Sequence, residues 1–185
     1  MSLLKNLLRT MSRKELVLKS PTQSFKSNSS FYDLSAQLIS GEKISFNQFK
    51  GKKVLIINTA SKCGFTPQLK ELEDVYKKYQ DKLIVLGFPC NDFLFQDPKS
   101  NKEIEEFCSI NYGVSFLLFE KMTLKKNNCS PVFEWLFTKH LNGWNSQQPT
   151  WNFCKYLVNE NGQLTLFANS IVKPMDERII SEIIK

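Results

Sequence analysis

The chain has 185 residues, 42% hydrophobic and 23% charged, with 7 Gly and 7 Pro, which allows one domain with a sizeable core and excludes a disordered, collagen-like or fibrous protein. A single histidine, His140, excludes multi-histidine metal sites and leaves any chemistry mostly histidine-free. The formal net charge of +7 lies in residues 1–53, with ten Lys and Arg against three Asp and Glu, while residues 54–185 carry fifteen of each; nucleic acid, which favours cations spread over a folded surface, is not expected as a partner.

At the N-terminus Leu3, Leu4, Leu7, Leu8 and Met11 recur at helical spacing among Lys5, Arg9, Arg13 and Lys14. Two readings follow: an amphipathic targeting or membrane-surface segment, or an exposed basic extension without an address. The stretch lacks the apolar core of a secretory signal, and no aliphatic run approaches the roughly 18 residues of a membrane span. The extension is the plainer reading. A cytoplasmic protein is then expected, with organellar targeting as the alternative and membrane contact not expected. Residues 18–31 are rich in Ser and polar groups and read as a linker, so residues 1–30 form the extension and linker and 31–185 the folded domain.

Tyr32 to Phe46 reads as a hairpin around Ser40-Gly41-Glu42. Val54–Thr59 is an apolar run suited to a strand buried on both faces. Thr66-Pro67 supplies an N-cap and first-turn proline, and Leu69, Leu72, Val75, Tyr76 and Tyr79 then make one helical face. Leu83–Phe88 is the next strand. Ser100 and Glu103 match a capping box, Ile104, Phe107 and Cys108 share the inner face of that helix, and Gly113 ends it. Ser130-Pro131 opens a third helix that runs through Leu141 to Asn142-Gly143. Phe153–Val158 and Leu164–Phe167 flank the hairpin signal Asn161-Gly162, and a last helix from Asp176 buries Ile179, Ile180, Ile183 and Ile184. Trp135 and Trp144 read as packing residues. The order predicts an α/β protein with a thioredoxin-like fold: a central mixed sheet flanked by helices, preceded by an N-terminal β-hairpin.

The five cysteines are odd in number and form no CxxC pair, which argues against a zinc site or a dithiol motif. Cys63 stands apart from the others. It follows the Val54–Thr59 strand by four residues and precedes Thr66 by three, in the polar turn Ser61-Lys62-Cys63-Gly64. The end of a central strand before a helix N-terminus favours a thiolate, which is both nucleophile and oxidisable group. His140, on the edge of the apolar face of the third helix, reads as structural, so a Cys-His hydrolase has no support.

Asn58-Thr59-Ala60-Ser61-Lys62-Cys63-Gly64-Phe65-Thr66-Pro67-Gln68 resembles the peroxidatic loop of the glutathione peroxidase family in its cysteine form. Gly87 to Pro98 (Gly-Phe-Pro-Cys-Asn-Asp-Phe-Leu-Phe-Gln-Asp-Pro) resembles the family's second motif, and Trp151 to Val158 (Trp-Asn-Phe-Cys-Lys-Tyr-Leu-Val) its third, in the same order. The resemblance runs from about Phe31 to the C-terminus. It implies a catalytic tetrad of Cys63, Gln96, Trp151 and Asn152, in which neutral N–H donors steady first a thiolate and then the departing oxygen of a peroxide. The product on sulfur is a sulfenic acid.

The segment around Cys108 resembles the subgroup in which a second cysteine resolves that acid as an intramolecular disulfide. The other reading of Cys108, a small buried apolar residue, is compatible with the first if the helix opens. Asp92 stands where the family commonly has Gln, Leu94-Phe95 replace a commoner glycine pair, and Leu117 replaces a usual proline. The short stretch from Asn142 to Thr150 lacks the insertion of tetrameric members and implies a monomer. Hydroperoxides are the expected substrates. Thioredoxin is the expected reductant, with glutathione the alternative, because no arginine cluster near the motifs suits the carboxylates of glutathione. No cofactor or metal is implied. A peroxide-sensing relay that passes its disulfide to a partner protein is the alternative function, since the first chemical step is shared.

Overall fold

A computed structural model describes residues 14–21, 28–125 and 127–185. The amphipathic spacing of Leu3 to Met11 and part of the Ser-rich linker lie outside the described residues. The elements in chain order are β1 (Val17–Lys19), β2 (Ser35–Gln37), β3 (Lys43–Ser45), β4 (Lys53–Thr59), α1 (Gln68–Tyr79), β5 (Leu83–Pro89), α2 (Asn101–Tyr112), β6 (Leu117–Leu118), α3 (Pro131–Phe137), α4 (Lys139–Asn142), β7 (Lys155–Val158), β8 (Leu164–Ala168) and α5 (Glu177–Ile184). Six strands form one sheet in the order β1-β8-β7-β4-β5-β6, and β2 and β3 pair as a separate hairpin. β4, β5 and β6 run parallel, whereas β7, β8 and β1 join antiparallel. This is the mixed, helix-flanked sheet of the thioredoxin-like fold.

β4 sits at the centre with all seven residues buried. Its alternation divides the core. Leu55 and Ile57 join Leu69, Leu72, Val75, Ile104, Ile179 and Ile183 on the face covered by α1, α2 and α5. Val54 and Ile56 join Phe31, Phe46, Phe88, Phe133, Trp135 and Phe167 on the face covered by α3 and the N-terminal hairpin. Because strand side chains alternate while both faces are covered by helices or aromatics, a continuous apolar strand is the stable solution.

Several boundaries differ from the sequence expectation. Leu18 and Lys19, read as linker, belong to edge strand β1, which pairs with Phe167 and Leu166 of β8. The sheet therefore recruits chain from before residue 31, because an unpaired β8 edge would leave its backbone groups without partners. The third helix is broken: Thr138 takes φ −109°, ψ 101° and separates α3 from α4, and Asn142 replaces the lost turn by donating to the carbonyls of Trp135 and Leu136. In α5 only Ile179 and Ile183 are buried, while Ile184 faces solvent. The helix is C-terminal, with sheet on one side only.

Other expectations match the local chemistry. Ser100 and Glu103 form the reciprocal capping box of α2, and Gly113 at φ 63° closes it in the left-handed conformation that glycine adopts without strain. Trp135 is core, and Trp144 is half-buried with its indole N–H donated to the Leu164 carbonyl. His140 is exposed on α4.

Candidate active site

The chain leaves β4 at Thr59 and makes a run of turns before α1 begins at Gln68. Thr66 does not cap that helix. Its hydroxyl accepts from the Cys63 N–H at 3.0 Å and donates to the Ala60 carbonyl at 2.8 Å, and the cap position falls to Pro67 without a side-chain bond. The hydroxyl is therefore spent on folding the Cys63 loop onto the end of β4. Cys63 is 8% exposed, and its Sγ accepts from the Phe65 N–H at 3.4 Å. The N–H aimed at sulfur thus comes from the turn itself, three residues before α1. Lys62, next to it, is exposed.

The second motif is joined to this loop along two residues. The Lys62 N–H donates to the Gln96 carbonyl at 2.8 Å, and Asp97 Oδ1 accepts from both the N–H and the hydroxyl of Ser61, at 3.1 and 2.7 Å. Asp97 is fully buried and is itself held by Asn91, whose Oδ1 accepts from the Asp97 N–H. Burial pushes the Asp97 carboxyl up from its usual range, against the two Ser61 hydrogen bonds, which favour the charged form.

The third motif arrives from the other side. Asn152, fully buried, donates Nδ2 to Gln96 Oε1 at 2.9 Å, which leaves the Gln96 amide nitrogen free as a donor. Asn152 Oδ1 is buried without a partner. Trp151 is half-buried, tilts against Phe93 with ring centroids 5.8 Å apart, and packs on the apolar cluster that contains Cys63. The four expected residues are therefore drawn to one end of β4 by three separate chain segments. Gln96 is the hub, bonded through its backbone to the Cys63 loop and through its side chain to Asn152.

Cys108 lies in the last turns of α2, 2% exposed, in the same apolar cluster as Cys63. All five cysteines are free thiols. Burial pushes the Cys108 thiol up to about 12, with the Asp97 charge acting in the same direction. Cys90, whose N–H donates to the Thr59 carbonyl, is also buried, and its thiol is likewise pushed up to about 12. Among the described residues no group of three or more His, Cys, Asp or Glu is gathered as a metal would need.

Leu94 and Phe95, which replace a glycine pair, keep a glycine-like backbone, with φ 53° and 56°, and point largely into solvent at 61% and 78% exposure. Sequence reading missed three residues that organise the site: Asn58, Asp97 and Thr66. Asn58 carried a signal, being an amide inside an otherwise apolar strand. Asp97 carried none, because a carboxylate in a loop reads as solvated.

A family model described as glutathione peroxidase matches residues 31–137. The glutathione peroxidase-like peroxiredoxin 2 of Saccharomyces cerevisiae is 47% identical over 155 residues, spanning 82% of this chain and 96% of its own length. The glutathione peroxidase-like peroxiredoxin gpx1 of Schizosaccharomyces pombe is 47% identical over 149 residues, spanning 79% and 92%. Among solved structures, the crystal structure of Trgpx in apo form matches with a TM-score of 0.64 and 34% identity, covering 84% of this chain and 94% of that one.

Proposed function

The chain belongs to the glutathione peroxidase family and is a thiol peroxidase, and from that premise we propose how its residues divide the reaction. Cys63 is the peroxidatic residue. Its thiolate attacks the distal oxygen of hydrogen peroxide or an organic hydroperoxide; the O–O bond breaks, the alkoxide or hydroxide leaves and is protonated, and sulfur is left as a sulfenic acid. Gln96, Trp151 and Asn152 supply neutral donors for the charge that moves from sulfur to the leaving oxygen, and such fixed donors act strongly in a site shielded from water. None has to titrate, in keeping with a chain that has one histidine, exposed and on α4.

Cys108 then resolves. Its thiolate attacks the Cys63 sulfur, the S–O bond breaks, and hydroxide departs as water, leaving an intramolecular disulfide. A dithiol reductant of the thioredoxin type returns both thiols. A protein dithiol suits a disulfide held in the protein, and the naming of the yeast relatives as peroxiredoxins favours it over glutathione. The observation that carries this reading is the hub at Gln96, which ties the Cys63 loop by its backbone and Asn152 by its side chain.

The test is steady-state reduction of hydrogen peroxide and of an organic hydroperoxide, with thioredoxin and glutathione compared side by side. Wild-type enzyme is expected to turn over faster with thioredoxin, and Cys63→Ser to lose turnover with either reductant. Activity retained by Cys63→Ser would remove the assignment, and a preference for glutathione would reverse the choice of reductant.

A further inference from the structure

The turn Trp151–Cys154 presents two of the four site residues, and its backbone is irregular. Phe153 takes φ 67°, in a left-handed region that disfavours bulky L residues, yet its ring is fully buried in the core. Something must hold that conformation.

Two buried polar side chains do so. Asn58, fully buried in the middle of the sheet, donates Nδ2 to the Trp151 carbonyl at 2.9 Å and accepts from the Cys154 N–H at 3.0 Å through Oδ1. Its own carbonyl accepts from the Phe153 N–H at 2.6 Å. Lys155, fully buried in β7, donates Nζ to the Phe153 carbonyl at 2.8 Å and to the Val172 carbonyl at 2.6 Å. An amide and an ammonium are unfavourable choices at buried strand positions, where an aliphatic side chain costs no polar desolvation. Burial drives the Lys155 ammonium down to about 7, against the neighbouring charges of Cys154, Glu71 and Asp176. Both polar groups are spent on the same four-residue turn.

We propose that Asn58 and Lys155 are positioning residues of the peroxidase reaction, holding the Trp151–Cys154 turn so that the Trp151 ring and the Asn152 amide meet the Gln96 and Cys63 loops. Neither touches the reacting atoms. Asn58 also stands in the strand that runs directly into the Cys63 loop, so one residue sets the spacing between nucleophile and donors. Small displacements of such groups slow chemistry steeply while leaving the fold intact. The inference rests on the reading of Trp151 and Asn152 as participants in peroxide reduction.

The experiment separates the two half-reactions of the full chain. Reduced protein is mixed with hydrogen peroxide and Cys63 oxidation is followed by loss of free thiol; oxidised protein is then reduced with dithiothreitol. Asn58→Ala, Asn58→Asp and Lys155→Met are each expected to slow oxidation by about 10- to 100-fold. Reduction by dithiothreitol is expected to stay within about twofold of wild type, because it draws on none of the donors on this turn. Asn58→Asp is informative because it keeps the size and the acceptor for the Cys154 N–H but sets an oxygen against the Trp151 carbonyl. A folded variant that is oxidised at the wild-type rate, or whose two half-reactions fall by the same factor, overturns the proposal. If Lys155→Met does not fold, the Asn58 variants decide. Asn152→Ala is measured alongside, and wild-type oxidation of that variant would refute the reading of Asn152 itself, independently of what the Asn58 variants do.

Discussion

Cys63 and Cys108 belong to one apolar cluster but are held in opposite ways. Cys63 sits in a loop whose hydrogen bonds come from side chains and turn N–H groups, with one N–H aimed at its sulfur. Cys108 sits in a capped α-helix, its sulfur among hydrocarbon and its thiol pushed up to about 12 by burial. On the proposed division of roles, the first reacts where it stands and the second resolves only once its helix opens. The Cys108 carbonyl accepts the Val114 N–H that closes α2, so the residue stands just before the final turn, and Ser109, Ile110 and Asn111 after it are exposed. A last turn with few buried side chains is a region of low local stability. If the proposed roles hold, peroxide reduction uses preorganised structure and resolution uses structure that gives way.

The sharpest way to break that comparison is to remove the thiol proposed to resolve. Cys108→Ser is expected to retain a first-turnover burst of Cys63 oxidation but to lose thioredoxin-coupled turnover by about tenfold or more, with further oxidation of Cys63 visible by mass spectrometry. Sustained wild-type turnover in this variant would return Cys108 to a purely structural role.

Next in size is the difference in thiol reactivity. In the reduced protein at pH 8, iodoacetamide is expected to label Cys63 about tenfold faster than Cys108, and unfolding in urea to abolish the difference. Peptide mapping reads both rates, and equal labelling in the folded state would mean that α2 does not protect its cysteine.

The shifted thiol also has a consequence for stability. Below pH 9.0 Cys108 is protonated in folded and unfolded chains alike, whereas between 9.0 and about 12 the unfolded chain loses that proton and the folded chain keeps it. The unfolded state then binds fewer protons, so stability falls as pH rises through this window, by about 1.4 kcal/mol per unit for a single group. Urea titrations of the reduced protein from pH 8 to 10.5 are expected to show a shallower fall in Cys108→Ser than in wild type. Parallel curves would contradict the shift.

The smallest effect tunes the opening itself. A Cβ at Gly113 meets no atom within 4 Å, so Gly113→Ala introduces only the strain of φ 63°, about 1 kcal/mol. Released when the last turn unwinds, that strain is expected to speed disulfide formation after peroxide addition by no more than about fivefold, and to lower Tm by about 2–4 °C. Slower closure would show that resolution needs an intact α2.

Local chemistry was readable from the residues alone. The capping box at Ser100, the left-handed glycine after α2, the hairpin at Asn161-Gly162 and the strand at Val54 depend on neighbours in the chain, and each lies where the pattern places it. The thioredoxin-like order of elements follows from the same periodicities, and the three motifs carried the family. Long-range polar contacts were not readable. Thr66 looks like an N-cap because the motif for one is local, yet its hydroxyl bonds back to Cys63 and Ala60. Leu18 and Lys19 look like linker because only pairing with β8 makes them a strand. Thr138 breaks a helix that periodicity alone would continue.

The sequence by itself determined which residues are candidates for the proposed chemistry, since a thiol at a strand end and three side chains able to donate are identities that no folding step can supply. The tertiary structure alone decided how they meet. Gln96 becomes a hub, Asp97 ties its loop to that of Cys63, and Asn58 and Lys155 hold the turn of Trp151 and Asn152, through hydrogen bonds between residues up to 96 positions apart. The physical reason is burial. A polar side chain in a loop or strand is indifferent to its partners in water, and only when the closed core removes that water must each group find a particular one.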